Sequence, residues 1–284
     1  MNTNKDGYSF LSECFIFMEQ SRDEKDVVFL DFTFCEFFDA NLSAVLAAVF
    51  GNRKIIFHNL NSTIRKCLHR NGTIESLAID GRESAGIIDE TENYVPYKAF
   101  KNKDAEQFKI YIDKWVIQKR KFPEHSLGVH EKIKESIYEI YANAIMHGES
   151  EYVYCCGELN SLKETLNMTI VDKGQTIPFH VNRFLRNANL SSCDAIEWAL
   201  QDANTTKSNT GGLGFTIIKE FISLNKGALQ IVSQNGFLEF KNDKISKNIM
   251  KASFPGTIVN MEFNFNDTNS YRLKNEFMNS SNLL

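Results

Sequence analysis

The chain has 284 residues, 43% of them hydrophobic and 24% charged, which suits a globular protein with room for two cores and excludes a disordered or fibrous one. A formal net charge of −4 and an isoelectric point near 5.9 exclude a global field that would attract nucleic acid or an acidic membrane surface, so nucleic acid is not an expected partner. The six cysteines show no Cys-x-x-Cys spacing, the start MNTNKDGYSF is polar, and the longest apolar run, AVLAAVF, is too short to span a bilayer. These features predict reduced thiols, a cytoplasmic location and no membrane segment. Cys155 and Cys156 are neighbours in a strand-like run and point to opposite faces, which argues against a shared metal.

From Val27 the pattern VVFLDF, DANLSAVLAAVF, KIIF and STIRKCLHRNG alternates a buried strand, an apolar helix, a second strand and a capped helix ending at Gly72. It predicts a small α/β domain with parallel strands over residues 1–95. Residues 96–125 form a connecting segment. Between Lys98 and Lys121 it carries eight Lys or Arg against three acidic residues, with Tyr111 and Trp115 at helical spacing, and so predicts a basic-faced helix. Past Pro123 a second domain runs over 126–265. Its expected elements are a helix at 126–147, strands YVYCCGEL and TLNMTIV, a turn DKGQTIP, and a polar stretch containing the helix SSCDAIEWALQDA. The helix FTIIKEFISLN and the strand ALQIVS follow, then a hairpin turn at Asn235–Gly236, a charged loop and a last strand within SFPGTIVNMEFNF. In that strand Val259, Met261, Phe263 and Phe265 share one face. The order predicts an α/β sheet covered by helices on one face, and the polar tail 266–284 predicts fraying.

Three stretches carry chemistry. In ESIYEIYANAIMHG, Glu135, Glu139, Asn143 and His147 are spaced four apart and form one slowly drifting stripe on a helix. Asp172 opens DKGQTIP at a strand end, where it could simply cap the turn. Gly211, Gly212 and Gly214 precede a helix, where glycines serve close packing or expose backbone N–H groups to phosphate. There is no Walker sequence, and TGGLGF lacks the dinucleotide-fold spacing and preceding strand.

In this order the segments resemble the nucleotide-binding domain of the GHKL superfamily of gyrase-, chaperone-, histidine-kinase- and mismatch-repair-type ATPases. The likeness extends over about residues 126–265. EIYANAIMH is similar to that family's N box, DKGQTIP to its Asp-x-Gly box, TGGLGF to its second glycine box and PGTIV to its closing Gly-Thr strand. The resemblance implies a two-layer α/β sandwich of the Bergerat type that binds ATP and Mg²⁺. It assigns the metal-ligating oxygen to Asn143 and water activation to Glu139, about 6 Å away one turn earlier. Adenine recognition falls to Asp172, Gly174 and Thr257. The phosphates fall to Gly211, Gly212, Leu213 and Gly214, under a lid over 179–210 in which Lys207 is either a phosphate contact or a solvated lysine. His147 is either a further phosphate contact or a partner of the helix dipole, and Glu135 faces solvent.

The first domain more faintly resembles STAS modules, the small α/β domains of anti-sigma antagonists. Asp39-Ala40 stands where they have Asp-Ser, and Ser43 is the nearest remaining hydroxyl; an ordinary α/β packing module fits equally. The expected function is an Mg²⁺-dependent ATP-binding protein that hydrolyses ATP slowly as a regulatory switch, with a protein partner that could itself be STAS-like, and with homodimerisation open. The alternatives are a serine kinase of the anti-sigma type and a non-hydrolysing ATP-gated scaffold.

Overall fold

The computed structural model describes residues 1–20, 27–51, 53–79, 93–186, 188–201 and 213–276. After helix α1 (Lys5–Gln20) comes strand β1 (Val27–Asp31), then a 3₁₀ turn at Ala40–Leu42 leading into α2 (Ser43–Phe50), β2 (Lys54–His58), α3 (Ser62–Arg70) and α4 (Thr73–Leu77). β1 and β2 pair in parallel, as the alternation of strand and apolar helix predicts. Asn61 caps α3 by accepting a hydrogen bond from the Ile64 amide at 2.9 Å. α2 is buried along its whole length, consistent with apolar residues on every face.

The main sheet contains β3 (Tyr94–Phe100), β4 (Val153–Asn160), β5 (Thr165–Asp172), β6 (Ala228–Lys241) and β7 (Lys244–Asn264), antiparallel throughout in the order β3-β4-β5-β7-β6. Its helices are α5 (Ala105–Ile112), α6 (Leu127–Met146), α7 (Ile177–Phe184), α8 (Ser192–Ala199) and α9 (Leu213–Asn225). The period-2 alternation divides the sheet residues cleanly. Ile170, Met168, Val259, Met261 and Phe263 pack with α6 and α9, while Val171, Val232 and Ile258 pack with α1 and α2. Cys155 and Cys156 join opposite cores, as neighbours on a strand must, and all six cysteines are free. The N-terminal elements therefore cover the sheet's second face. Asn41, 1% exposed, fixes them there by donating to Thr169 Oγ1 at 2.8 Å and to Asn260 Oδ1 at 3.2 Å.

Four local expectations are corrected. The stretch around Lys98 is not all helix: its first residues form β3, because Val95 and Phe100 enter the sheet core. The β6–β7 hairpin turns at Asn242–Asp243, with φ of 52° and 60°, rather than at Asn235–Gly236, which lies inside β6 at a bulge. Two successive positive φ values are the signature of a tight hairpin turn, and Asn and Asp tolerate them. The charged stretch expected as a loop is the outer half of that hairpin, its side chains exposed from Lys244 to Ile249. The tail does not fray from Asn266, since Tyr271 is buried against Phe221 with ring centroids 5.0 Å apart.

Candidate functional site

All three motif stretches reach one cleft, the third through Phe215. α6 starts at Ser126, whose hydroxyl accepts from the Val129 amide at 3.3 Å, and buries Val129, Ile133, Ile137, Ile140 and Ala144 against the sheet. This rotation leaves Glu139, Asn143 and His147 along the edge that lines the cleft, while Glu135 is exposed and paired with Lys132 at 2.8 Å. Register pairs Asp172 at the end of β5 with Thr257 on β7, and both side chains face the same cleft. Ile140, Ile170, Ile177, Val181 and Val259 supply apolar walls around about 120 Å³.

Glycines bring the two motifs together. The Gly148 carbonyl just past α6 accepts a hydrogen bond from the Gln175 amide at 2.7 Å. A Cβ at Gly174 would lie 1.8 Å from that carbonyl oxygen, and one at Gly148 would lie 2.4 Å from the Ala144 oxygen and 3.0 Å from Asp172 Oδ1. All three separations lie below van der Waals contact, so only glycine permits this approach of α6 to the β5 end.

The cleft holds two acceptors without partners. Asn143 Oδ1 and Asp172 Oδ1 are buried and make no hydrogen bond among the described residues. Leaving one buried acceptor unsatisfied costs about 1–3 kcal/mol, so two in one cleft mark the place where water or a ligand can donate to them or coordinate them. Asp172 is 6% exposed, and burial pushes its carboxyl well above the usual range, with a backbone hydrogen bond from Thr257 acting in the opposite sense. Thr257 Oγ1 lies 3.1 Å from Ser233 Oγ, and that hydroxyl also accepts from the Ile177 amide at 3.0 Å, tying the start of α7 to the floor.

Gly211, Gly212 and Lys207 lie outside the described residues. Leu213 and Gly214 form the first turn of α9, as a glycine-rich stretch opening a helix predicts, and Phe215 in that turn lines the cleft. The region anticipated as a lid supplies α7 and α8, with His180, Trp198 and Ala199 on the cleft wall. His180 Nε2 lies 2.6 Å from the His147 carbonyl oxygen, and the two rings meet edge-on at 5.4 Å. α7 and His180 were not anticipated. The signal was present: Thr176 caps the helix by accepting from the Phe179 amide at 3.3 Å, and Pro178 sits in its first turn.

A scan against protein-family models and a search of curated proteins return no match. The described residues contain no group of three or more His, Cys, Asp or Glu side chains able to hold a metal, and no helix long and apolar enough to cross a membrane. Asn143, whose carboxamide oxygen is a hard ligand suited to Mg²⁺, falls outside such a group by residue type.

Proposed function

We infer that the protein binds Mg²⁺ and ATP in this cleft in the manner of the GHKL superfamily, the helical face of its five-stranded sheet acting as a Bergerat-type two-layer sandwich, and hydrolyses ATP slowly. The observation that carries the reading is the pair of buried, unpartnered oxygens on Asn143 and Asp172. They are the two atoms the motif resemblance assigns to metal and adenine, and they converge on one cleft with apolar walls. The residues present fit both groups. Asp172 Oδ1 accepts from the exocyclic amine of adenine and disfavours guanine, whose carbonyl at that position would oppose it. Gly174 brings the chain close to the base, and Thr257 completes the pocket through its hydroxyl.

Asn143 Oδ1 would hold the metal, which when bound would neutralise charge on the phosphate oxygens. Glu139 orients the attacking water and takes its proton as the new oxygen–phosphorus bond forms. The bond from the γ-phosphorus to the β–γ bridging oxygen breaks, releasing ADP and inorganic phosphate. Leu213 and Gly214 in the first turn of α9 offer backbone N–H groups to the phosphates, joined by His147; Gly211, Gly212 and Lys207, which the resemblance also assigns to the phosphates, lie outside the described residues. A protein partner reads the state of the α7–α8 region. Ser43 is fully buried, with its hydroxyl 3.2 Å from Asn71 Nδ2, so it is not the acceptor in a phosphotransfer variant of this reading.

Phosphate release from labelled ATP tests the assignment. Glu139→Ala is expected to lower turnover at least about 100-fold, the scale of a lost general base, while nucleotide affinity stays within a few-fold. Equal turnover in the variant refutes Glu139 as the base.

A further inference from the structure

The last described residues hold the two helices that border the cleft. Tyr271 forms an isolated bridge with His125: its amide donates to the Glu124 carbonyl at 2.8 Å, and its carbonyl accepts from the Ser126 amide at 2.9 Å. The Tyr271 ring lies on Phe221 of α9, and its hydroxyl donates to Asp267. Asp267 also accepts from Asn225, the fully buried last residue of α9, at 2.9 Å. Five residues on, Glu276 reaches the start of α6. Its carboxylate accepts from the Ser126 hydroxyl at 2.6 Å, the Gly128 amide at 3.3 Å and the Leu273 amide at 2.7 Å. The first turn of α6 is shaped to receive it: a Cβ on Gly128 would lie 2.6 Å from Glu276 Oε1 and 2.7 Å from Leu273 Cδ1.

A carboxylate at a helix N-terminus satisfies orphan N–H groups and complements the helix dipole. Here it comes from a segment 150 residues away in sequence that is also anchored to α9. We propose that residues 267–276 are a clamp, and Glu276 and Tyr271 positioning residues, that set the placement of α6 relative to α9 and thereby bring Asn143 and the first turn of α9 to bear on one ligand. The link to a ligand rests on the nucleotide reading above; the clamping of the two helices does not.

Hydrogen exchange and titration with Mg²⁺ and a non-hydrolysable ATP analogue on the full chain separate the two. In Glu276→Ala, amides of both α6 and α9 are expected to exchange faster, and analogue affinity to fall about 5-fold, the size of one lost helix cap. Glu276→Gln, which keeps the acceptors, is expected to recover part of both. Gly128→Ala raises helix propensity and by that effect alone would steady α6; the clamp predicts faster exchange in both helices, because the new methyl displaces the carboxylate. Faster exchange confined to residues 127–130 overturns the proposal, as does unchanged affinity in a variant whose two helices have both loosened. If the wild type binds no analogue, the nucleotide reading fails, and the exchange of α6 and α9 together still decides for or against the clamp.

Discussion

Asp172→Asn separates the stability of the empty cleft from its ligand chemistry. The side chain is 6% exposed, and burial raises its carboxyl well above the usual range. A carboxyl whose folded-state pKa lies above its unfolded value of about 3.9 favours folding while protonated in both states. That contribution is fully present below about pH 4 and is lost as pH rises through the folded pKa. Over that window the wild type loses about 1.36 kcal/mol per pH unit through this group, and the asparagine variant does not. Asparagine can keep the hydrogen bond from Thr257, and it leaves an unpaired amide where an unpaired Oδ1 stood, so that cost of about 1–3 kcal/mol is common to both proteins. The variant is therefore no more stable than the wild type near pH 4 and overtakes it as pH rises. Urea unfolding of both proteins at pH 5, 6, 7 and 8 measures the difference. Other titrating groups are common to both and cancel. Parallel stability curves across this range would refute the reasoning. The same variant presents an amide donor to the adenine amine, and its affinity for an ATP analogue is expected to fall about 10-fold, the cost of leaving one buried hydrogen-bonding group without its partner.

Gly174→Ala forces a methyl to within 1.8 Å of the Gly148 oxygen, so unfolding in urea should show a loss of about 1–3 kcal/mol together with weaker analogue binding; a variant as stable as wild type would mean that the two motifs need not touch. Glu158, on the seam between β4 and the N-terminal elements, is pushed up to about 7 chiefly by burial and also by the Asp39 charge, against a hydrogen bond from the Ala40 amide at 2.8 Å. Its contribution is present below about pH 4.3 and lost as pH rises through about 7. Glu158→Gln should therefore gain on wild type by about 4 kcal/mol between those limits and remain level above them. A gain that continues to grow above pH 8 would contradict this assignment.

The elements with strong local patterning were legible in the sequence. α6, β4, β5 and the parallel β1–β2 pair follow from their periodicity and caps, and the shared face of Val259, Met261, Phe263 and Phe265 follows from period 2. The elements missed depend on partners distant in the chain. β3 is a strand because Val95 and Phe100 meet β4 and α5, not because of its basic composition. The tail orders because Tyr271 finds Phe221 and Glu276 finds the start of α6, contacts no local window contains. Asn235–Gly236 is a good turn pair, but cross-strand pairing carries β6 on to Lys241 and makes that pair a bulge. Within the site, the spacing of Glu139, Asn143 and His147 predicted a common face, and the structure puts that face on the cleft. The approach of Asp172 to it depends on the Gly148–Gly174 contact, and the wall formed by His180 and Trp198 depends on how α7 and α8 pack on each other and on β6, which no local window contains.

The most direct measurement is a calorimetric titration of the full chain with a non-hydrolysable ATP analogue, with and without Mg²⁺, repeated on Asn143→Ala and Asp172→Asn. The account predicts saturable one-to-one binding that is tighter with Mg²⁺, loses the metal dependence in Asn143→Ala and is weakened in Asp172→Asn with or without metal. No binding at millimolar analogue, or binding indifferent to both substitutions, would contradict it.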